Sequence, residues 1–134
     1  MSDITGVLLA DRNLTTMTKS LKAAGLDYDL EKNGPFTVFA PSEIAFGKLM
    51  PGLLAGLLRP EKKIQLIALM HRHIIHGKKS FNDFTDGEML PTLGGKMLEV
   101  KVNHGIVTIN GATIQSRDND AFNGVVHSLD TVLS

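Results

Sequence analysis

The closing segment, Asn123 to Leu133, constrains the fold more than any other part of the chain. It begins with a turn-forming Asn-Gly pair and continues with the pattern of a strand. Alternation places Val125, His127, Leu129 and Thr131 on one face, and Val126, Ser128, Asp130 and Val132 on the other. Each face carries a polar group among apolar neighbours, which is costly unless that group finds a hydrogen-bond partner. We therefore expect a strand whose polar side chains are satisfied by other parts of the fold.

A second segment of similar character lies far upstream, between Gly34 and Phe46. A short apolar strand from Phe36 to Ala40 contains one threonine, Thr37, and is followed by a proline. Ser42 then has the side chain of a helix N-cap. The segment predicts a strand that leads directly into a short helix.

Together the two segments resemble the signature motifs of the fasciclin (FAS1) domain, T-V-F-A-P-x-x-x-A-F and N-G-x-x-H-x-x-D-x-V-L. The motifs stand in the family's order at domain-length separation, and the resemblance extends over residues 3–133. It implies one FAS1-like domain over residues 1–134, of the α+β class. Its strands are expected to form a wedge or sandwich, mainly antiparallel, with several packed helices.

Composition limits the classes of function. A chain of 134 residues with 43% hydrophobic content is long enough for one domain with its own core. Lysine plus arginine equals aspartate plus glutamate at 14 each, which disfavours nucleic acid and anionic membranes as partners. The absence of cysteine excludes disulfides and thiol chemistry. The first residues show no signal peptide, and no apolar run has the length for membrane insertion.

The first half of the chain has helical patterns. Leu14, Met17, Leu21 and Ala24 recur at helical spacing between a possible cap, Asn13, and a glycine stop, Gly25. A longer helix is predicted from Pro60 to His76, ending at Gly77. Because this helix is apolar around most of its circumference, we expect it to run through the middle of the domain, with His71 and His73 buried.

The second half has strand patterns separated by turn dipeptides. Strands are predicted at Met97–Val102, Ile106–Ile109 and Ala112–Ser116, with turns at His104-Gly105 and Asn110-Gly111. The loop 116–120 carries two aspartates but lacks the glycine and glutamate of a calcium-binding EF-hand loop. It is therefore predicted to be a solvated turn.

Three histidines of the predicted long helix suggest a metal site, but their geometry argues against one. His71 and His73 would point about 160° apart, and no acidic residue at helical spacing joins His73 and His76. For His73 we expect a neutral imidazole bonded to a buried acceptor. No serine lies in a nucleophile elbow. The sequence therefore predicts no metal, no cofactor, no catalytic residue and no enzyme.

The polar residues of the motifs are interpreted as groups that specify the fold, namely Thr37, His73, His127 and Asp130. His127 and Asp130 are separated by an odd number of positions, so an ideal strand would place them on opposite faces. This spacing argues against a catalytic His-Asp pair. We expect the two motif strands to be neighbours in the core, with Thr37 and the polar groups of the last strand closing hydrogen bonds there.

A candidate partner-binding surface is formed by Arg72, His76, Lys78, Lys79, Leu53 and Leu54. The resemblance places Arg72 at the family's tyrosine, His73 at its histidine and His76 at its proline. In several animal members that tyrosine is implicated in integrin binding, so Arg72 weakens the transfer of integrin recognition to this chain. The nearby stretch Met50 to Leu58 is expected to be mainly buried. Exposed apolar area there would support a binding surface.

The function that the resemblance implies is that of a non-enzymatic adhesion or interaction module. It would bind protein or glycan partners at a cell surface or in a matrix, as a monomer or weak homo-oligomer. The expected location is extracellular, cell-surface or periplasmic. The alternative is a small-molecule or carbohydrate-binding module of the periplasm or cytoplasm, which a concave apolar pocket with convergent polar groups would favour.

Overall fold

The computed structural model describes residues 3–32 and 34–133, with the side chains of residues 31 and 32 left aside. The helices within these ranges are α1 (Ile4–Ala10), α2 (Thr15–Ala23), α3 (Leu26–Lys32), α4 (Glu43–Gly47), α5 (Leu53–Leu57) and α6 (Lys63–His71). The strands are β1 (Phe36–Pro41), β2 (Ile74–His76), β3 (Met89–Pro91), β4 (Met97–Asn103), β5 (Ile106–Ile109), β6 (Ala112–Thr113), β7 (Asn119–Ala121) and β8 (Gly124–Leu129). Short 3-10 turns lie at Arg12–Leu14, Pro60–Lys62 and Phe81–Asp83.

The strands form two sheets. The first has the order β2-β1-β8-β7 and the second the order β3-β4-β5-β6. The central strands β1 and β8 are parallel, whereas the other paired strands are antiparallel. The predicted α+β class with mainly antiparallel strands is confirmed.

The first sheet lies between two hydrophobic cores. Phe36, Val38 and Ala40 of β1 belong to a core shared with the helices, while Phe39 belongs to a core shared with the second sheet. Every residue of β1 and β8 is buried. Because neither strand has a solvent face, any polar side chain on them must be paired inside the protein.

Most of the local predictions are confirmed, but the predicted cap of α2 is wrong. The predicted apolar face of α2, from Leu14 to Ala24, is buried, and Gly25 follows it with a left-handed φ of 76°. Asn13 does not cap this helix, since its N-cap position is Leu14. Ser42 caps α4 by accepting a hydrogen bond from the Ala45 amide at 3.2 Å. The turns at His104 and Asn110 both have left-handed backbone conformations.

The predicted long helix from Pro60 to His76 is wrong in its last part. The α-helix spans only Lys63–His71, and Ile74–His76 forms β2, antiparallel to β1. The β-branched pair Ile74-Ile75 is buried by this pairing, so tertiary contacts override the helical spacing. The helix is not central either, because Ile64 is 81% exposed. His73 is buried as predicted, but His71 is only half-buried.

Strand boundaries in the second half also differ from the prediction. Within the predicted solvated turn at 116–120, Asn119 and Asp120 belong to the edge strand β7, which pairs with β8. The closing strand ends at Leu129, so Asp130 lies just beyond it. The predicted strand Ala112–Ser116 is reduced to Ala112–Thr113. An edge strand made mainly of polar residues lacks the alternating apolar pattern of a buried strand. This is why the sequence predicted a loop where β7 lies.

Candidate functional site

The two sequence motifs meet along the centre of the first sheet. In the parallel pairing of β1 with β8, Thr37 lies opposite Val125 and Phe39 lies opposite His127. The prediction that the motif strands are neighbours in the core is thereby confirmed.

Thr37 is buried and binds the loop that follows β2. Its Oγ1 donates to the carbonyl of Gly77 at 2.7 Å and accepts from the amide of Lys79 at 2.8 Å. Both hydrogen-bonding functions of the hydroxyl are used. The first motif therefore holds the main chain of residues 77–79 against the sheet.

His127 binds the same loop from the second motif. Its Nε2 lies 2.8 Å from the carbonyl oxygen of Lys79, and its Nδ1 accepts from the amide of Asp118 at 3.1 Å. A carbonyl oxygen can only accept, so this arrangement requires the neutral tautomer with hydrogen on Nε2. The ring also packs against Phe39 and Phe84, with ring centroids 6.1 and 5.5 Å away.

The environment of His127 favours its neutral form. Burial lowers the pKa of the imidazole, while the hydrogen bond to Lys79 and the charges of Asp118 and Asp120 oppose that shift. Both ring nitrogens are bonded to main-chain groups. The ring could act as a general base only by giving up its bond to the Asp118 amide.

His73 forms an equivalent bridge on the helix side of the sheet. Its Nδ1 donates to the carbonyl of Leu69 at 2.8 Å, and its Nε2 accepts from the amide of Leu133 at 3.0 Å. The imidazole thus joins the end of α6 to the end of the described chain. Burial is the largest influence on it and lowers its pKa to about 4, with a smaller contribution from the charge of Arg72.

Asp130 closes the turn after β8 rather than pairing with a histidine. Its Oδ1 accepts from the amide of Thr113 at 2.9 Å and from the hydroxyl of Thr131 at 3.0 Å. The carboxylate therefore links the turn to β6 in the second sheet. The expectation that His127 and Asp130 have separate partners is confirmed.

Asn123 has a role that sequence reasoning missed. Its Oδ1 accepts from the amide of Ile4 at 2.8 Å, and its Nδ2 donates to the carbonyl of Leu30 at 2.7 Å. One side chain therefore connects the start of α1, α3 and the turn before β8. The Asn-Gly pair indicates a turn from sequence, but nothing local reveals partners 119 and 93 positions away.

We propose that Thr37, His73, His127 and Asp130 specify the fold. Replacing His127 by leucine is expected to lower the free energy of unfolding by about 2 kcal/mol, because the Asp118 amide and Lys79 carbonyl lose their partner. Urea denaturation would measure the loss. His76→Leu, at an exposed histidine, serves as the control and should change stability by under ~0.5 kcal/mol. An unchanged melting temperature in the His127→Leu variant would refute the assignment.

The predicted partner-binding residues are not brought together. Lys78 pairs with Asp120 at 3.3 Å, and Lys79 pairs with Glu88 at 3.0 Å. His76 is exposed and lies beside the ring of Phe36, at 5.4 Å between centroids. Leu53 and Arg72, by contrast, line one groove.

This groove lies between α5, α6 and the end of the described chain. The groove has a volume of about 320 Å³. It is lined by Leu49, Leu53, Leu57, Gln65, Ala68, Leu69, Arg72, Val132 and Leu133. Leu54 packs on the helix-side core instead. The groove brings together Leu53 and Arg72 of the predicted surface.

The described residues contain neither a metal-binding cluster nor a membrane-spanning helix. Residues 3–32 and 34–133 contain no group of three histidine, aspartate or glutamate side chains arranged to hold a metal ion. Over the same ranges, every helix is too short or too polar to cross a bilayer.

Comparison with known proteins identifies the family. The model of the fasciclin domain matches residues 12–134, so the chain belongs to the fasciclin family. Protein sll1483 of Synechocystis sp. is 39% identical over 97% of this chain and 72% of its own length. Human periostin is 33% identical over 85% of this chain, but that match covers only 14% of periostin.

A solved structure supports the fold assignment. A FAS1 domain pair from the insect cell adhesion molecule Fasciclin I superposes with a TM-score of 0.85. The match covers 99% of this chain and 51% of that one, at 19% sequence identity. The FAS1-like architecture expected from the two motifs is therefore confirmed.

Proposed function

We propose that this chain is a non-enzymatic adhesion or interaction module, which binds protein or glycan partners through apolar surface around α5. The observation that carries the proposal is the exposure of this segment. Although α5 is made of leucine, alanine and glycine, it has no buried residue, and Met50 just before it is 76% exposed. The expectation that Met50 to Leu58 is mainly buried is wrong.

Both α5 and the neighbouring helix α6 carry an exposed apolar side chain. Leu53 is 46% exposed, and Ile64 in the first turn of α6 is almost fully exposed. The two helices contact one another. Apolar area held at the surface by neighbouring elements is typical of an interaction site, because burying it against a partner releases its hydration cost.

The relatives agree with this function. Fasciclin I, whose FAS1 domain pair has the same fold, is an insect cell adhesion molecule. By analogy, the module would work at a cell surface, outside the cell or in the periplasm, as a single domain and as a monomer or weak homo-oligomer. Catalysis receives no support from the central histidines, because their ring nitrogens are bonded to the main chain.

Attachment of protein-coated beads tests this proposal. Beads carrying the domain are expected to attach to cells or to immobilised matrix protein and glycan. The double variant Met50→Glu, Ile64→Glu should reduce attachment at least ~10-fold, because two carboxylates would lose hydration in the contact. Ile106→Glu, at an exposed position on β5, is the matched control and should attach normally.

Two results would contradict the proposal. One is attachment of wild-type beads at the level of albumin-coated beads. The other is equal attachment by the double variant and the Ile106→Glu control. Matching melting temperatures of all variants would exclude unfolding as the cause of any loss.

A second candidate function is favoured by the groove beside α5. It is concave and mainly apolar, with Gln65 and Arg72 as its polar groups, and its volume lies in the range of small-molecule sites. A small-molecule-binding module is therefore the alternative. Neither Met50 nor Ile64 lines the groove, so the bead assay and ligand binding can be tested separately.

A further inference from the structure

The groove between α5 and α6 carries a single charged group. Arg72 is the only ionisable residue among the described side chains that line it. The residue caps the C-terminus of α6, where its amide donates to the carbonyl of Leu69 at 3.2 Å. The C-terminal end of a helix carries a partial negative charge, so the cation of Arg72 is stabilised at this position.

The guanidinium of Arg72 has no counter-ion in the part of the chain that the structure describes. It makes neither a hydrogen bond nor an ion pair with residues 3–32 or 34–133, although it is half-buried. His73, which follows Arg72 in sequence, is neutral and already bonded at both nitrogens. The five N–H donors of the Arg72 guanidinium are therefore available to a ligand.

We propose that this groove binds a small molecule with one carboxylate on an apolar chain. The carboxylate would pair with Arg72, and the apolar part would lie on the aliphatic side chains of α5, α6 and the Val132-Leu133 segment. This inference rests on the second candidate function and specifies its ligand class.

Charge and polarity select that class. The planar guanidinium matches a carboxylate in a two-point hydrogen-bonded pair. No carboxylate among the described residues lines the groove. An organic cation would therefore be repelled by Arg72 without a compensating negative charge. A dianionic phosphate would bring a second charge that the apolar walls cannot compensate. A monoanion with an aliphatic body satisfies both parts of the site.

Binding can be measured with three probes of equal chain length: octanoate, octanol and octylammonium. Each is titrated into the isotope-labelled protein while the amide signal of Leu133, at the wall of the groove, is followed by NMR. Octanoate is expected to cause a saturable shift. Its affinity should exceed that of octanol by roughly 10-fold, because only octanoate gains the charge-assisted pair. Octylammonium should bind more weakly than octanol.

Three variants then test which residues bind the carboxylate and which bind the apolar chain of the ligand. Arg72→Gln should weaken octanoate roughly 10-fold and leave octanol unchanged. Arg59→Gln removes the same charge from an exposed arginine outside the groove and should leave both affinities unchanged. Ala68→Phe, at an exposed position on the groove wall, should fill the space and abolish binding of both probes.

The outcomes separate the two levels of the proposal. Equal affinities for octanoate and octanol, or octanoate binding that survives Arg72→Gln, would overturn the carboxylate assignment while leaving a small-molecule function in place. Failure of every probe to shift the Leu133 signal would overturn both. Unaltered probe binding in Ala68→Phe would show that the ligand lies elsewhere and would also overturn the site.

Discussion

Replacing Gly124 by alanine is expected to remove most of the stability of the fold. Gly124 begins β8 and lies beside Phe36 in the parallel pairing. An added Cβ would overlap the carbonyl oxygen of Phe36 and lie 2.8 Å from the Cδ1 of Ile4. Because β1 is a central strand with β2 on its other side, its backbone cannot withdraw without breaking that pairing.

The expected loss is above ~4 kcal/mol, which places the substitution among the most damaging single changes. Since whole domains are stable by only about 5–15 kcal/mol, the melting temperature should fall by ~15 °C or more, or the protein should fail to accumulate in folded form. Thermal unfolding followed by circular dichroism measures the change.

Gly56→Ala is the matched control. Gly56 lies within α5, and a Cβ there would meet no atom within 4 Å. Alanine is the better helix former, so this variant should be as stable as the wild type or more stable by up to ~1 kcal/mol. A Gly124→Ala protein that melts with the wild type would contradict the close approach of the two motif strands.

Some parts of the fold could be predicted from the sequence because they depend on local patterns. The Asn-Gly turn before β8, the apolar strands and the face of α2 depend on local pattern, and each was predictable. The adjacency of the motif strands was predictable for another reason. Buried polar groups such as Thr37 and His127 require partners inside the protein, and in the structure both bind the loop at residues 77–79.

Non-local pairing accounts for what sequence reasoning missed. Ile74 and Ile75 fit a helical wheel as well as a strand, and only the presence of β1 decides between them. The same error placed His73 and His76 on one helix with Arg72. Once β2 turns the chain away, Arg72 lines the groove near α5, whereas His76 lies beside Phe36.

The groove itself had no signal in the sequence. It forms where α5 and α6 meet the end of the described chain, and Val132 and Leu133 lie at least 60 positions beyond the other lining residues. Leu53 and Arg72 were both assigned to the candidate partner-binding surface, but nothing in the sequence indicated a concave site between them. Their common site depends on His73, which holds Leu133 beside α6.

That role of His73 leads to the second large effect, a loss of stability in mild acid. Protonation of the ring would place a hydrogen on Nε2, facing the amide hydrogen of Leu133. The folded protein resists this protonation because burial lowers the pKa of His73 from 6.5 to about 4. The unfolded chain has no such constraint.

The sign of the pH dependence follows from this difference. Above pH 6.5 neither state carries the proton, so the stabilisation from the neutral ring is fully present. Between pH 6.5 and about 4, the unfolded chain binds a proton that the folded chain does not, and stability falls. The loss accumulates to about 3 kcal/mol at the lower end. His127, whose pKa is also lowered by burial, adds a loss in the same direction.

Urea denaturation at intervals between pH 7 and pH 4.5 tests the effect above the range where most carboxylates titrate. His73→Gln keeps a donor and an acceptor but cannot titrate. It should be less stable than the wild type at pH 7, because its amide cannot reproduce both hydrogen bonds, and its stability should depend less steeply on pH. His127→Gln should flatten the remaining dependence, and the double variant should be nearly flat. A His73→Gln protein with the wild-type slope would show that the folded protein protonates His73 as readily as the unfolded chain does, and would contradict the lowered pKa.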